Sequence, residues 1–447
     1  MTGLWRFKRH WILTSMISAG IHLYGSLIGA ASWDADRELG IFEYDPGFLG
    51  SGIEVSPLRL PLRPGRFTFP ELDRTTFKGL PGLLSDSLPD KFGNLLIDQW
   101  LARQGRSAAS FTPVERLCYL GTRAMGALEF QPVLLPDQPP ERLELESLVQ
   151  LAQEVLDSRS ALHTRLDERP EQALTTILRV GTSAGGARAK AVISWHPRTG
   201  EIRSGQVNPQ RGFEPWLLKF DGVSGNRDKE LADPVGYGRI EYAYHLMARA
   251  AGITMSDCRL LEEHGRAHFM TKRFDRLPDG GKLHMQSLCA MAHFDFNQAG
   301  AYSYEQAFQT ARQLNLTHPA LMELYRRALF NVMARNQDDH TKNLAFLMNR
   351  RGEWSLAPAF DLTYAHNPSG AWTSRHQMSL SGKRDGFTME DLQEAGRAAS
   401  LKPRQIKTTI HEVQQAVARW PEFAETAGVP SPLISSLQAG LRQELLS

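Results

Sequence analysis

The run NQDDHTKN, residues 336–343, sets Asp338 and Asn343 five positions apart. A carboxylate and an amide at that spacing, followed by a further aspartate at 361, are residue types that phosphoryl transfer uses. One aspartate accepts the proton of an attacking hydroxyl. The amide oxygen and the second carboxylate are hard donors suited to Mg²⁺, which takes few protein ligands when phosphates are present. Protein kinases carry the same order: Asp, four residues, Asn, a hairpin, then Asp. The flanks differ here, since no HRD precedes the run and FDL (Phe360–Leu362) stands in place of DFG.

The neighbouring segments are suited to present these groups. Upstream, Leu321, Leu324, Tyr325, Ala328, Leu329, Val332 and Met333 recur at helical spacing and predict a buried helix that breaks at RNQDDHTKN. Downstream, LAFLM, the turn NRRGE and WSLAPAFDL predict a hairpin. Folding back on itself, it returns Asp361 toward Asn343. A kinase site also needs a strand lysine for the nucleotide phosphates and a helix glutamate to hold it. Lys219 ends the apolar strand PWLLKF, and Glu241 opens the helix GRIEYAYHLMARAAGI, which Gly252 stops. Taken alone, Lys219 reads equally as an edge-strand lysine facing water. The segment GTSAGGARAK, with Gly181, Gly185, Gly186 and Lys190, is a flexible turn or a loop whose N–H groups bind phosphate oxygens; it is not a Walker A sequence.

Length and composition set wide bounds. A chain of 447 residues holds two to four domains. The formal net charge of +2 leaves no bulk signal for nucleic acid or an anionic membrane. Three scattered cysteines, without a CxxC pair, argue against a disulfide framework or a thiolate zinc site and for a reducing compartment. The basic RFKRH followed by an apolar stretch resembles a signal peptide, but GIHLYGSLIGAAS also reads as the start of a β-hairpin. The reading adopted is cytoplasmic, without membrane association, with the first ~15 residues outside the fold. GIFEYDPGFL and RFTFPEL predict strands, as do TTILRVG, KAVISW and HFMTKRFDR. The segment SDSLPDKFGNLLIDQWLARQG predicts a helix capped by Asp86 or Ser87. LPDQPPERLE is the linker candidate. His284, His293 and Asp295 could suggest a metal site, but AHFDF reads rather as a loop near the nucleotide or as plain surface. The tryptophans read as packing residues, and SLSGKRDGF as a solvated turn rather than a basic DNA contact.

In joint order these pieces resemble the HipA family, the serine/threonine kinase toxins of bacterial type II toxin–antitoxin modules. DDHTKN resembles its catalytic loop D-x-H-x-K-N, LAPAFDL its metal motif, KRFDR its hinge and SAGGARAKA its phosphate loop. GFLGSGIEVSPLRLPL, LPDKFG and LGTRAMGALEF resemble its small N-terminal subdomain. The resemblance implies an α+β, two-lobed protein-kinase-like fold, with a small mixed β/α N-terminal subdomain and a mostly helical C-terminal lobe. It divides the chain into an extension (1–19), the N-terminal subdomain (20–135), a linker and helix (136–175), a nucleotide-binding region (176–275) and a helical catalytic lobe (276–447).

Carried over by position, Asp338 is the proton acceptor, and Asn343 and Asp361 hold Mg²⁺. ATP is met by Gly185, Gly186, Ala187, Arg188, Ala189, Lys190, Lys219, His340, Thr341, Lys342, Asn343, Phe360 and Asp361. Adenine is met through the backbone of Lys272, Arg273 and Phe274. Glu241 pairs with Lys219, and Ser183 is the autophosphorylation site. Asp339 stands where glycine is common and is expected to add negative charge beside the base. The family implies a translation component as substrate, such as an aminoacyl-tRNA synthetase, with growth inhibition as the result. It also implies a small helix-turn-helix antitoxin, HipB-like, with operator DNA contacted only in that complex. Two rivals stand beside this reading: a small-molecule kinase, and a non-catalytic DNA-binding co-repressor.

Overall fold

The computed structural model describes residues 18–135, 142–157, 181, 188–205, 211–223 and 236–445. Residues 1–17, and with them the signal-like stretch, lie outside that set. So do Ser183, Gly185, Gly186 and Ala187 of the glycine loop. The strand expected over 175–181 also falls there, except Gly181, which is helical.

The chain opens with a hairpin. β1 (Ser18–Leu23) and β2 (Ser26–Asp34) pair antiparallel across Tyr24 and Gly25, which both have positive φ, as a two-residue hairpin turn requires. Ala19, Ile21 and Leu23 alternate inward along β1. β3 (Leu39–Tyr44), β4 (Arg66–Phe67) and β5 (Leu128–Gln131) complete an antiparallel sheet in the order β4-β3-β2-β1-β5. The helix Pro113–Leu120, fastened by a Thr112/Glu115 capping box, covers this sheet with Val114, Leu117 and Leu120. The other long helix of this unit, Lys91–Arg103, is capped by Asp90, whose Oδ1 accepts from Gly93 N at 2.6 Å. The cap was expected from Asp86 or Ser87. Asp86 instead accepts from the N–H and hydroxyl of Ser287, a contact across 201 residues that local sequence cannot reveal.

A second sheet comprises β6 (Lys190–Trp195), β7 (Ile202–Ser204), β8 (Glu214–Lys219), β9 (Cys258–Glu263) and β10 (Arg266–Lys272), ordered β7-β6-β8-β10-β9. Lys219 is therefore on the central strand, which excludes the edge-strand reading. The helix Tyr237–Ala250 lies against this sheet. Gly238 permits the close approach, since a Cβ there would sit 2.1 Å from Ala267 O. That contact fixes the helix start, and Glu241 faces the sheet one turn along. The helix buries Ile240, Ala243, Tyr244 and Met247 in the C-terminal lobe, and Tyr244 donates to Ala334 O at 2.5 Å.

The C-terminal lobe is built around the helix His318–Met333, whose predicted stripe is buried throughout. Each large apolar side chain on it contributes roughly 1.5–3 kcal/mol by leaving water. A small sheet, β11 (His284–Ser287), β12 (Ala345–Met348) and β13 (Trp354–Leu356), includes the predicted hairpin. The fold is α+β, two-lobed and kinase-like. The N-terminal unit docks onto the small sheet, with Tyr24 OH donating to Met348 O at 2.5 Å and accepting from His284 N at 3.0 Å. SLSGKRDGF is a turn whose cations serve the lobe itself: Lys383 pairs with Asp391 and Arg384 donates to His376 O. Among the described residues no helix is long and apolar enough to cross a membrane.

Candidate active site

The octet leaves the central helix at Arg335, which has φ +54, and runs extended beside the segment after Asp361. Gln337 N donates to Ala365 O at 3.1 Å, and Ala365 N to Arg335 O at 3.0 Å. β12 and β13 are in register, and Ala357 N donates to Ala345 O at 3.0 Å. These bonds bring the chain around Asn343 and Asp361 together. Along the extended run burial alternates. Asp339 points inward while Asp338 and His340 stay partly exposed, as a period of two requires, and the 3₁₀ turn Thr341–Asn343 that follows buries Thr341 and leaves Lys342 and Asn343 partly exposed.

Each outward group is held in place. Asn343 Nδ2 donates to Asp338 O at 2.9 Å, which turns the amide oxygen the other way. Trp372 Nε1 donates to Asp338 Oδ1 at 2.6 Å, and His340 Nε2 lies 3.9 Å from the same oxygen. Phe296 lies against both the His340 ring and the Lys342 ammonium, so AHFDF sits beside this loop. His293 accepts from Gly82 N at 3.1 Å, and burial pushes its pKa down to about 3.

Asp339 does not crowd the base, contrary to the expectation. It is buried and accepts from Tyr304 OH at 2.7 Å, His376 Nδ1 at 2.8 Å and Gln377 N at 2.7 Å. Burial pushes its pKa up, but His376 and the other donors outweigh that, and the carboxyl lies below its usual range.

The opposite wall carries the lysines. Lys219 pairs with Glu241 and, at 2.5 Å, with Asp361 Oδ1. Burial works against its charge, but the two carboxylates prevail and raise its pKa. Glu241 is also held by Arg188 at 3.2 Å, which lies over the Tyr237 ring. Lys190 is directly opposite Lys219 in the β6/β8 register, yet it is buried and pairs at 3.3 Å with Asp90 of the N-terminal unit. The structure thus places Lys190 in an ion pair rather than on an open phosphate site. Asp90 is pushed up to about 6 by burial, against the pull of Lys190. Ala189 O accepts from Phe220 N.

Two backbone donors of the KRFDR segment are engaged within the protein. Lys272 N donates to Asp257 O and Arg273 N to Pro215 O, so these two N–H groups are already used. The Arg273 guanidinium is buried on Asp275, which also binds Arg276 and accepts from Gly126 N at 2.7 Å. Phe274 packs on Phe360, with ring centroids 5.7 Å apart.

Asp361 has φ +57, a strained conformation for aspartate that directs its carboxylate at Lys219. About a third of its side chain is exposed. Among the described residues no group of three or more His, Cys, Asp or Glu is placed to hold a metal. Asn343 and Asp361 offer two hard oxygen donors, which fit an ion whose shell is completed by phosphate and water. Sequence reasoning missed Asp90, Arg188 as a second partner of Glu241, Trp372, and the Tyr304–His376–Gln377 cage. The alternation of Asp338 and Asp339 was the available clue to two opposite-facing carboxylates.

Comparison with known proteins agrees with this architecture. The HipA-like C-terminal domain family matches residues 182–420, and the HipA N-terminal domain family matches residues 19–131. The chain belongs to the HipA family. It is similar to "Putative kinase Y4mE" of Sinorhizobium fredii, 25% identical over 424 residues covering 88% of this chain and 90% of that one. It resembles the solved Shewanella oneidensis HipA, described in complex with HipB and operator DNA, with TM-score 0.64 and 16% identity over 96% of both chains. The Helicobacter pylori proinflammatory kinase CtkA matches with TM-score 0.31 and 10% identity, covering 52% of this chain and 90% of that one.

Proposed function

We propose that the chain is an ATP- and Mg²⁺-dependent protein serine/threonine kinase, the toxin of a toxin–antitoxin module. The observation that supports this best is the convergence of Asp338, Asn343 and Asp361 on adjacent segments, with the Lys219–Glu241 pair joined to Asp361. Asp338 takes the proton of a substrate hydroxyl. That oxygen forms the new bond to the γ-phosphorus as the bond to the bridging oxygen of ADP breaks. Lys219 neutralises nucleotide phosphates, and Glu241 and Arg188 keep it aimed. Bound Mg²⁺, held by Asn343 and Asp361, supplies further charge neutralisation. His340 and Lys342 line the phosphates, whereas the Thr341 side chain is buried and donates to Phe294 O at 2.7 Å, and Phe274 and Phe360 bound the adenine side.

A small helix-turn-helix antitoxin is proposed as partner, on the analogy of the Shewanella complex with HipB and operator DNA. A translation component, such as an aminoacyl-tRNA synthetase, is proposed as substrate; phosphoproteomics after induced expression tests this. Calorimetry tests the nucleotide site. Asp361→Ala should weaken MgATP binding by at least ~100-fold, because it removes the only carboxylate assigned to the metal. Unchanged affinity would place the metal elsewhere.

Ser183 is proposed as an autophosphorylation switch. A phosphoserine adds roughly −1.5 to −2 charges beside nucleotide phosphates and should repel them. Mass spectrometry should find phosphate on Ser183 and lost activity after MgATP exposure, and none in Asp338→Asn. Active, ATP-exposed enzyme with unmodified Ser183 would remove the switch.

A further inference from the structure

Trp372 lies in the segment after Asp361 and returns to the octet. Its indole N–H donates to Asp338 Oδ1 at 2.6 Å. The backbone of Trp372 is fixed as well. Gln377 Nε2 donates to Trp372 O at 2.5 Å and to Gln337 O at 3.2 Å, and Gln377 N holds Asp339. The octet and the Trp372 segment therefore close a circuit: Asp338 to Trp372, Trp372 to Gln377, Gln377 back to Gln337 and Asp339. The remaining side of the base is tied by Asn343, whose amide donates to Asp338 O. A tryptophan kept only for packing would not need its N–H on a half-exposed carboxylate.

We infer that Trp372 is a positioning residue for phosphoryl transfer, an inference that rests on Asp338 being the proton acceptor. The indole N–H occupies Oδ1, so the carboxylate cannot rotate freely, and Oδ2 is the oxygen that meets the acceptor hydroxyl. The ring, only partly buried and 6.5 Å from the His340 ring centroid, forms a wall of the acceptor approach. Orientation of a base toward the proton it removes acts on the chemical step and leaves nucleotide binding alone.

Trp372→Phe keeps a ring and removes the N–H. It should lower kcat for a protein acceptor about tenfold, the order expected from losing one hydrogen bond to a charged group, with KM for MgATP within about twofold. Trp372→His, which restores a ring N–H, should recover part of the loss. A second measurement does not depend on activity. In protein labelled with ¹⁵N-tryptophan, the Trp372 indole resonance, assigned by its absence from Trp372→Phe, should move upfield in Asp338→Asn while the other indole resonances stay.

Unchanged kcat in Trp372→Phe overturns the inference. So does raised kcat, which would make the residue an obstruction. An indifferent indole resonance in a parent that transfers phosphate also overturns it while sparing the kinase reading. A parent that transfers none, with its indole resonance moving as expected, sinks the kinase reading and the role built on it.

Discussion

Asp338→Asn is expected to fold as the parent does and to lose phosphoryl transfer by ~10²–10⁴-fold. The substitution is nearly isosteric. Its amide oxygen can still accept from Trp372 Nε1, and the backbone carbonyl that Asn343 holds is untouched. What disappears is a group able to accept a proton. Nothing in the Lys219–Glu241–Asp361 arrangement depends on that carboxylate, so MgATP affinity should stay within about twofold. Transfer of labelled phosphate, followed beside thermal denaturation and nucleotide titration, separates these quantities. Growth inhibition on expression should vanish with transfer. A variant as active or as toxic as the parent would remove Asp338 from the role of base.

The adjacent residue should behave in the opposite way. Asp339→Ala is expected to lose about 3–5 kcal/mol of stability, since an unsatisfied buried donor costs about 1–3 kcal/mol and the carboxylate serves three. His376 and Gln377 are buried around it, and Tyr304 donates to it, so the alanine leaves three donors without their acceptor. Melting temperature and denaturant midpoint should both fall. The effect has a pH signature. The folded-state pKa of Asp339 lies below its unfolded value, so its contribution is present above the usual carboxylate range and is lost as pH falls through the depressed folded value. The parent should therefore shed stability below about pH 4 more steeply than the variant. Equal acid limbs, or a variant as stable as the parent, would show that the cage is not holding the loop.

Elements governed by local periodicity were legible. The stripe from Leu321 to Met333, the hairpin after Asn343 and the β1–β2 turn all follow from spacing and turn chemistry. The kinase-like fold followed from the order of motifs. Features made by distant pairing were not legible. Asp86 and Ser87 read as the helix cap in sequence, and only the docking of the Lys91–Arg103 helix against β6 reveals Asp90 beside Lys190. The KRFDR segment offers three candidate backbone contacts, but strand pairing uses the N–H groups of Lys272 and Arg273. Trp372 reads as a packing tryptophan because nothing near it in sequence marks Asp338, 34 residues earlier, as its acceptor. Asp339 reads in sequence as a charge beside the base, because the alternation that turns it inward belongs to the extended backbone.

The N-terminal unit has a consequence for how the molecule comes to exist. Its first hairpin meets β12 through Tyr24 and Met348, 324 residues apart. Its loop at 122–126 meets Asp275, Arg276 and Lys282, and Asp90 waits for Lys190. At about 5–20 residues per second, a ribosome leaves Tyr24 without its partner for roughly tens of seconds. Contacts of such separation are slow to form and come late. Asp361 and Trp372, which meet Lys219 and Asp338, are made late in the chain, so the candidate site is complete only once most of the chain exists.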